Sequence, residues 1–425
     1  MRVGVGILGG GTVGGTLARK LLAERETIAA KSGVELELVK VAVRDLSRER
    51  PFPAEYATDD LESVVDHPDV GLVVEVMGGI EPAGDLILRA LAAGKPVVTA
   101  NKALIAERGP EIFEAASESG VSILFEAAVG GGIPLIRPLS ESLAGERLDR
   151  ILGIVNGTTN YILSAMDSEG ASYADVLAEA QRLGYAEADP TADVGGGDAA
   201  AKATILAGLA FGVWVEEAAI HTEGIDGIDT LDIDFARDLG YCVKLLAVAE
   251  SIDTGVSVRV HPTLVPLDHP LANVRGAHNA VFVEGPDIGD LLFMGPGAGG
   301  GPTATAVLGD VIDAARDLLA GTRVAPRVKL GAGSVVPFGE ISSKWYIRLE
   351  VADAPGVLAQ IAGAFGEHGV SIMSVWQEGR GDDATLLLVT HDAPEAAHQA
   401  AVAALDGLAA VKQVAAVIRV ISPEP

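Results

Sequence analysis

Cysteine is almost absent from this chain: Cys242 is the only one in 425 residues. That excludes an intramolecular disulfide and any metal site built from several cysteines, and it fits a reducing compartment. The eight histidines are scattered without ligand spacing, which leaves a hydrolase or other metalloenzyme unsupported. Basic charge is scarce too. There are 31 lysines and arginines against 59 aspartates and glutamates, a formal net charge of −28 and a pI near 4.6. This argues against nucleic acid and anionic membrane as partners, so any anionic ligand must be held by local basic residues or helix N-termini. Long apolar runs are missing. The stretch 3–8 lacks a signal peptide's longer apolar core and cleavage site. The longest apolar helix, over 199–215, carries Lys202 and is short for a membrane span. A soluble, cytoplasmic protein is expected.

What is present suffices for large cores. The chain is 49% hydrophobic and 21% charged, and its length predicts two or three domains. Strand-like runs at 2–8, 34–43, 71–76, 96–99 and 121–125 alternate with helical stretches at 12–30, 84–93 and 103–119. That pattern predicts a parallel sheet covered on both faces. Beyond about 138 the pattern changes to a strand at 150–155, helices at 158–167, 172–183 and 199–215, and strands at 244–250, 256–265, 280–284 and 291–293. The expectation is an α/β Rossmann-type dinucleotide-binding domain over 1–137, to which a helix in 302–320 returns, and an α+β catalytic and dimerisation domain over 138–301. A Gly- and Pro-rich linker over 321–343 follows. The order βαββαβ over 344–425 then reads as a ferredoxin-like module.

Lys202 stands out. In Asp198-Ala-Ala-Ala-Lys202-Ala-Thr-Ile-Leu-Ala-Gly-Leu-Ala-Phe nearly every neighbour is apolar, so the helix is expected to be buried on all sides. An ammonium there loses hydration and nothing structural requires it; desolvation lowers a lysine pKa, which suits a proton donor near neutral pH. Asp198, four residues earlier, shares its helix face; a helix-capping role is its plain alternative. Upstream, Glu187, Asp189 and Asp193 make an acidic run, broken by Gly195-Gly-Gly197, for which a surface loop is the plain reading.

Gly9-Gly-Gly11-Thr12-Val13-Gly14 follows the first strand and opens a helix, the context in which G-x-G-x-x-G binds a dinucleotide. Gly9 allows the turn, Gly11 lets the backbone approach the pyrophosphate, and Gly14 lets helix and strand pack. At the end of the second strand Arg44, with Arg50 following, suits the 2′-phosphate of NADP, while Asp45 keeps NAD open. Thr99-Ala-Asn101-Lys102 also follows a short strand, where ligands of an open α/β sheet sit. Glu126-Ala-Ala-Val129-Gly-Gly131-Gly-Ile133-Pro134 is a glycine loop able to present carbonyl oxygens, and Asn156-Gly157-Thr158-Thr-Asn160 opens a helix with hydrogen-bonding side chains. Taken singly, each is open to ordinary turn and cap chemistry.

Together these stretches, with Gly78-Gly-Ile-Glu-Pro82, Tyr185-Ala-Glu-Ala-Asp-Pro-Thr-Ala-Asp193 and Gly295-Pro-Gly-Ala-Gly-Gly300, resemble homoserine dehydrogenase from residue 1 to about 320, in family order. The tail, with Asp353-Ala-Pro-Gly-Val-Leu358, resembles an ACT domain. The resemblance implies NAD(P)-dependent, reversible reduction of L-aspartate 4-semialdehyde to L-homoserine, on the way to threonine, methionine and isoleucine. It implies Lys202 as the acid/base residue with Asp198 beside it and Lys102 near nicotinamide and substrate. Glu187 and Asp193 would hold the substrate's ammonium group, with Asn156, Gly157 and Thr158 also lining the substrate site. Gly9, Gly11, Thr12, Val13, Gly14, Arg44, Arg50, Thr99, Lys102 and Gly300 would hold the cofactor, and Glu126, Val129, Gly131 and Ile133 a monovalent cation such as Na⁺ or K⁺. Asp353, Gly356, Val357 and Gln377 would take an amino-acid effector, most simply L-threonine, between paired subunits of a homodimer or homotetramer. Gly10 departs from the family, which usually has a bulky apolar residue there.

Two other readings compete. Aspartate-semialdehyde dehydrogenase needs a nucleophilic cysteine, and Cys242 lies in Leu-Gly-Tyr-Cys242-Val-Lys-Leu-Leu without an activating turn. A non-catalytic amino-acid sensor would not need the pair Lys202–Asp198.

Overall fold

The computed structural model describes residues 2–321, 324, 328–331, 333–379 and 384–421; six residues of the expected linker (322, 323, 325–327, 332) and the last four of the tail (422–425) lie outside them. The chain divides into two compact units. One comprises Met1–Leu148, Thr204–Glu217 and Gly285–Ala332, the other Asp149–Ala203, Ala218–Glu284 and Gly333–Pro425.

The first unit is built on a six-stranded parallel sheet in the order Ala57–Thr58, Glu35–Ala42, Arg2–Leu8, Leu72–Glu75, Val97–Thr99, Ile123–Leu124. Chain order reverses beside Arg2–Leu8, and a doubly wound sheet opens a crevice at that switch point. Val3, Val5 and Ile7 enter one core with Leu17, Ala18 and Leu21 of the helix Thr12–Ala23. The helix Gly300–Ala320 adds Ala304, Val307, Val311, Ala314 and Ala315 to this same core. The expected helix over 12–30 is two helices, Thr12–Ala23 and Arg25–Ser32, broken at Glu24, whose φ of −113° leaves the helical region.

In the second unit Tyr241–Ile252 and Gly255–Pro266 form a long antiparallel hairpin. Arg150–Ile154 pairs with Tyr241–Ile252 and with His278–Gly285. The tail strands join this same sheet. Val411–Val420 runs parallel to Gly255–Pro266, and beyond it lie Ser342–Val351, Ala384–Thr390 and Ile372–Glu378 in turn. The tail is therefore a ferredoxin-like βαββαβ layer, with its own core around Ile347, Leu349, Ile361, Phe365 and Leu388, that extends the sheet of the body.

Buried charge links tail and body. Asp232, fully buried in the helix Thr230–Asp238, accepts two hydrogen bonds from Arg348 (2.7 and 3.0 Å) and one from Tyr346 Oη (3.2 Å). The expected linker is partly pinned as well, since Ser334 O accepts from Val256 N at 2.9 Å.

Candidate active site

Sterics explain the glycine turn after the first strand. Gly9 has φ of 107°, and a Cβ there would lie 2.7 Å from Val76 O. A Cβ on Gly14 would lie 1.9 Å from Gly9 O, so helix and turn touch. A Cβ on Gly11 meets nothing within 4 Å, so packing within the fold does not require a glycine there. At Gly10 a Cβ would come within 2.5 Å of Val43 and 3.3 Å of Phe52, whose side chains leave no room for a larger residue. Gly300 lies against this turn, its Cβ position 2.8 Å from Thr12 Cγ2.

Gly9, Gly11 and Thr12 line one side of an open cleft of about 1060 Å³, and Arg44, Arg48 and Arg50 line another. Asp45 is there too, but Ser47 takes its carboxylate through N–H (2.9 Å) and Oγ (2.6 Å), and those bonds lower its pKa. Arg50 donates to Arg48 O at 2.7 Å. Arg48 went unnoticed in the sequence, although its place between Arg44 and Arg50 is the signal that could have found it. Val13 is the second residue of the helix that the turn opens.

Thr99 is fully buried, and its hydroxyl donates to Glu75 Oε2 (2.6 Å) while Glu75 Oε1 accepts from Met77 N and Gly78 N (2.7 and 3.1 Å). Thr99 thus ties two strand ends together. Asn101 caps the helix Lys102–Ser119 by accepting from Leu104 N at 3.2 Å, which sets Lys102 in the first turn.

The densest polar cluster lies in the second unit. Lys202, 8% exposed, donates to Val155 O at 2.6 Å and to Asp198 Oδ2 at 2.7 Å. The helix begins at Gly197 and ends at Phe211, not at 215, because Gly212 turns left-handed with φ of 65°. Asp198 is therefore inside the first turn, two residues after the capping position at Gly196. Asn156 is the hub: its Nδ2 donates to Asp193 Oδ1 (2.7 Å) and Asp198 Oδ2 (2.8 Å), while its Oδ1 caps the helix Gly157–Glu169 through Thr159 N (2.9 Å). Gly157 is required by closeness, since a Cβ would lie 2.8 Å from Ala277 O. Thr158 Oγ1 donates to Tyr185 O at 2.6 Å and lies 3.5 Å from Asp193 Oδ2.

Asn279, which no motif contains, also donates to Val155 O, at 2.9 Å. Glu187 stands apart from the cluster. Its side chain is exposed, and it is its backbone carbonyl that Gln181 engages.

In the first unit, Glu126 Oε1 accepts from Leu135 N and Ile136 N, and Oε2 from Arg137 N. Its carboxylate thereby closes the loop that carries Val129, Gly131 and Ile133. Glu126 N donates to Asp310, whose pKa burial pushes up to about 6 against its hydrogen bonds from Arg137 and Glu126. Among the described residues no group of three or more His, Cys, Asp or Glu could hold a metal. Cys242 is buried, which raises its thiol pKa, the opposite of an activated nucleophile. No helix among the described residues is long and apolar enough to cross a membrane.

In the tail, Gln377 Nε2 donates to Asp353 Oδ1 at 3.0 Å, Gly356 (φ 88°) precedes the helix Val357–Glu367, and Val357 is buried.

Known proteins resemble the whole chain. The family model described as homoserine dehydrogenase matches residues 134–312, that of the homoserine dehydrogenase NAD-binding domain 9–126, and that of the ACT domain 345–409. The homoserine dehydrogenase of Mycobacterium tuberculosis is 50% identical over 98% of this chain and 97% of its own, and that of Corynebacterium glutamicum 47% identical over 98% and 95%. The crystal structure of a homoserine dehydrogenase from Thiobacillus denitrificans superposes with a TM-score of 0.93, at 42% identity and 99% coverage of both chains. A hyperthermophilic archaeal homoserine dehydrogenase in complex with NADPH has a TM-score of 0.62 and 31% identity, covering 76% of this chain and all of its own. The chain belongs to the homoserine dehydrogenase family, nicotinamide-dependent oxidoreductases that reduce L-aspartate 4-semialdehyde to L-homoserine, in a form that carries a C-terminal ACT domain.

Proposed function

We propose that Lys202 is the general acid of this reduction. The observation that carries the reading is the anchoring of its ammonium between Val155 O and Asp198 Oδ2. Two of the three N–H donors of Nζ are thereby directed, and the third serves the substrate's carbonyl oxygen. Bound NADPH supplies a hydride to the aldehyde carbon. As the carbonyl π pair moves onto oxygen, Lys202 stabilises the developing charge and gives up its proton to form the hydroxyl, then regains one from solvent. In the oxidative direction neutral Lys202 takes that proton back.

Asp193 offers a carboxylate to the substrate's ammonium group. Its Oδ1 is fixed by Asn156 and its Oδ2 lies at the edge of hydrogen-bond reach of Thr158. Glu187, exposed to solvent, is a second and outer carboxylate for the same group. Lys102 belongs to the cofactor side, at the end of the strand Val97–Thr99.

NADP is the preferred cofactor in this reading. Three arginines flank the cleft, and Oδ1 of Asp45 is already engaged by Ser47. The Glu126–Ile133 loop takes a monovalent cation through its carbonyl oxygens. L-Threonine, bound through Asp353, Gly356, Val357 and Gln377 between subunits of a homodimer or homotetramer, inhibits. The intact Lys202–Asp198 pair disfavours a sensor without turnover.

Lys202→Arg tests the acid assignment, because guanidinium keeps the charge but does not release its proton. Turnover should vanish while NADPH still binds. Near-parental turnover would move the role to Lys102.

A further inference from the structure

One strand edge carries separate pieces of chain. Gly255–Pro266 is paired along its length with Tyr241–Ile252. Its other edge takes His221 and Thr222 at Arg259 and Val260, and then Arg419 and Val420 at Thr263 and Leu264, both in parallel. A body segment and the tail's last strand thus follow one another along a single edge.

An ion pair bridges the gap between them. Arg419, 4% exposed, binds Glu223 through Nη1 and Glu395 through Nη2 (3.1 Å), and lies over the rings of Trp345 (4.8 Å) and Phe338 (5.4 Å). Glu395, itself 1% exposed, also accepts from Trp345 Nε1 at 3.0 Å. The guanidinium is therefore fixed to the tail on one side and reaches the body through Glu223. On the body side, Glu223 is further bonded to His221 Nε2 at 2.6 Å, and its N–H donates to Val260 O at 2.8 Å.

The residues after Glu223 touch the active-site turn. Ile225 N donates to Val194 O at 2.9 Å. A Cβ on Gly224 would lie 2.4 Å from Val194 O, and one on Gly196 would lie 2.9 Å from Thr222 Cγ2 and 3.2 Å from Glu223 O. The two backbones are thus close at Gly224 and Gly196, where a shift of one segment meets the other directly. The turn so supported runs from Asp193 to Asp198, the two carboxylates that share the Asn156 amide.

We infer that Arg419 is a positioning residue for the substrate site. Its bond to Glu223 fixes residues 222–225, and these set the separation and aim of Asp193 and Asp198. The ACT layer then contributes to substrate binding in the absence of any effector. The inference rests on the reading that Asp193 and Asp198 serve the substrate. Small displacements of binding groups are costly to reactivity, which sets the scale of the effect.

The test uses full-length Glu223→Ala, Glu223→Gln and Asp193→Asn, each with its Tm recorded. Glu223→Ala should raise KM for L-aspartate 4-semialdehyde about tenfold, with kcat within roughly threefold and KM for NADPH unchanged. Glu223→Gln, whose amide still accepts from Arg419 and donates to neutral His221, should recover most of that loss. Asp193→Asn should raise KM by direct loss of the ammonium partner. A parental KM in Glu223→Ala beside a raised KM in Asp193→Asn overturns the inference alone, even with a lowered Tm, since the pair would then be structural. A parental KM in Asp193→Asn overturns the substrate reading and the inference with it. If Glu223→Ala does not fold, Arg419→Lys is read in the same way: a raised KM supports the inference and a parental KM overturns it.

Discussion

Asn156 stands between Asp193 and Asp198 and donates to both, at 2.7 and 2.8 Å, from the same amide nitrogen. Two carboxylates are thereby held close by one amide, and Lys202 is drawn to one of them at 2.7 Å. The sharing explains why an asparagine rather than an aspartate occupies the hub. A third carboxylate there would repel the other two and favour protonation of one.

Asn156→Asp should therefore lower kcat/KM for the semialdehyde by at least about a hundredfold and leave NADPH binding intact, because the fingerprint turn belongs to the other unit. Steady-state kinetics with a parallel cofactor titration measure both.

The glycines of the fingerprint separate by role. Gly11→Ala should leave Tm unchanged, since its Cβ meets nothing within 4 Å, yet weaken NADPH. Gly14→Ala should lower Tm as well, its Cβ falling 1.9 Å from Gly9 O, with a cost of about 1–3 kcal/mol. Thermal melts with and without NADPH distinguish the two.

Replacing Arg44 and Arg48 together by serine should cut the preference for NADPH over NADH about tenfold or more, with NADH kinetics little changed. A preference that survives would remove the 2′-phosphate assignment.

Arg348→Met should destabilise the protein by about 3–5 kcal/mol, because it leaves Asp232 fully buried without its cationic partner. By the same argument, cutting the chain near 340 would remove Arg348, Tyr346 and Arg419 and unsettle the body. A truncated protein is thus a poor probe of regulation. Loss of threonine inhibition in full-length Gln377→Ala is the cleaner one.

Acid should loosen the contact of tail and body. Burial raises the pKa of Glu223, but hydrogen bonds from His221 and Arg419, with the charge of Arg419, outweigh this and hold it at about 2, below its ordinary 4.5. A depressed folded-state pKa means stability fully present above pH 4.5 and lost as pH falls through about 2. Glu223→Gln should flatten the pH dependence of Tm in that window.

Much of this was legible in the sequence. Lys202, Asp198, Asp193 and Asn156 were each visible as a residue or motif, and hydrophobic periodicity announced the parallel sheet and the βαββαβ tail. Other features needed the fold. A buried lysine alone is not diagnostic, because Lys244 is 3% exposed and merely holds Asn160 Oδ1 at 3.0 Å and Val274 O. Asn279 and Arg419 lie in strands far from the motifs in sequence, and only strand pairing brings them to Val155 and Glu223. The tail was readable as a module, but its continuity with the body sheet depends on two residue pairs, Thr263 with Arg419 and Leu264 with Val420, which periodicity does not encode.

The central claim is that Lys202 delivers the proton. It is tested most directly by single-turnover oxidation of bound NADPH, followed by absorbance, in Lys202→Met at saturating L-aspartate 4-semialdehyde. The account predicts a rate at least about a thousandfold below that of the parent, with Kd for NADPH within roughly twofold. A single-turnover rate within roughly tenfold of the parent would contradict it.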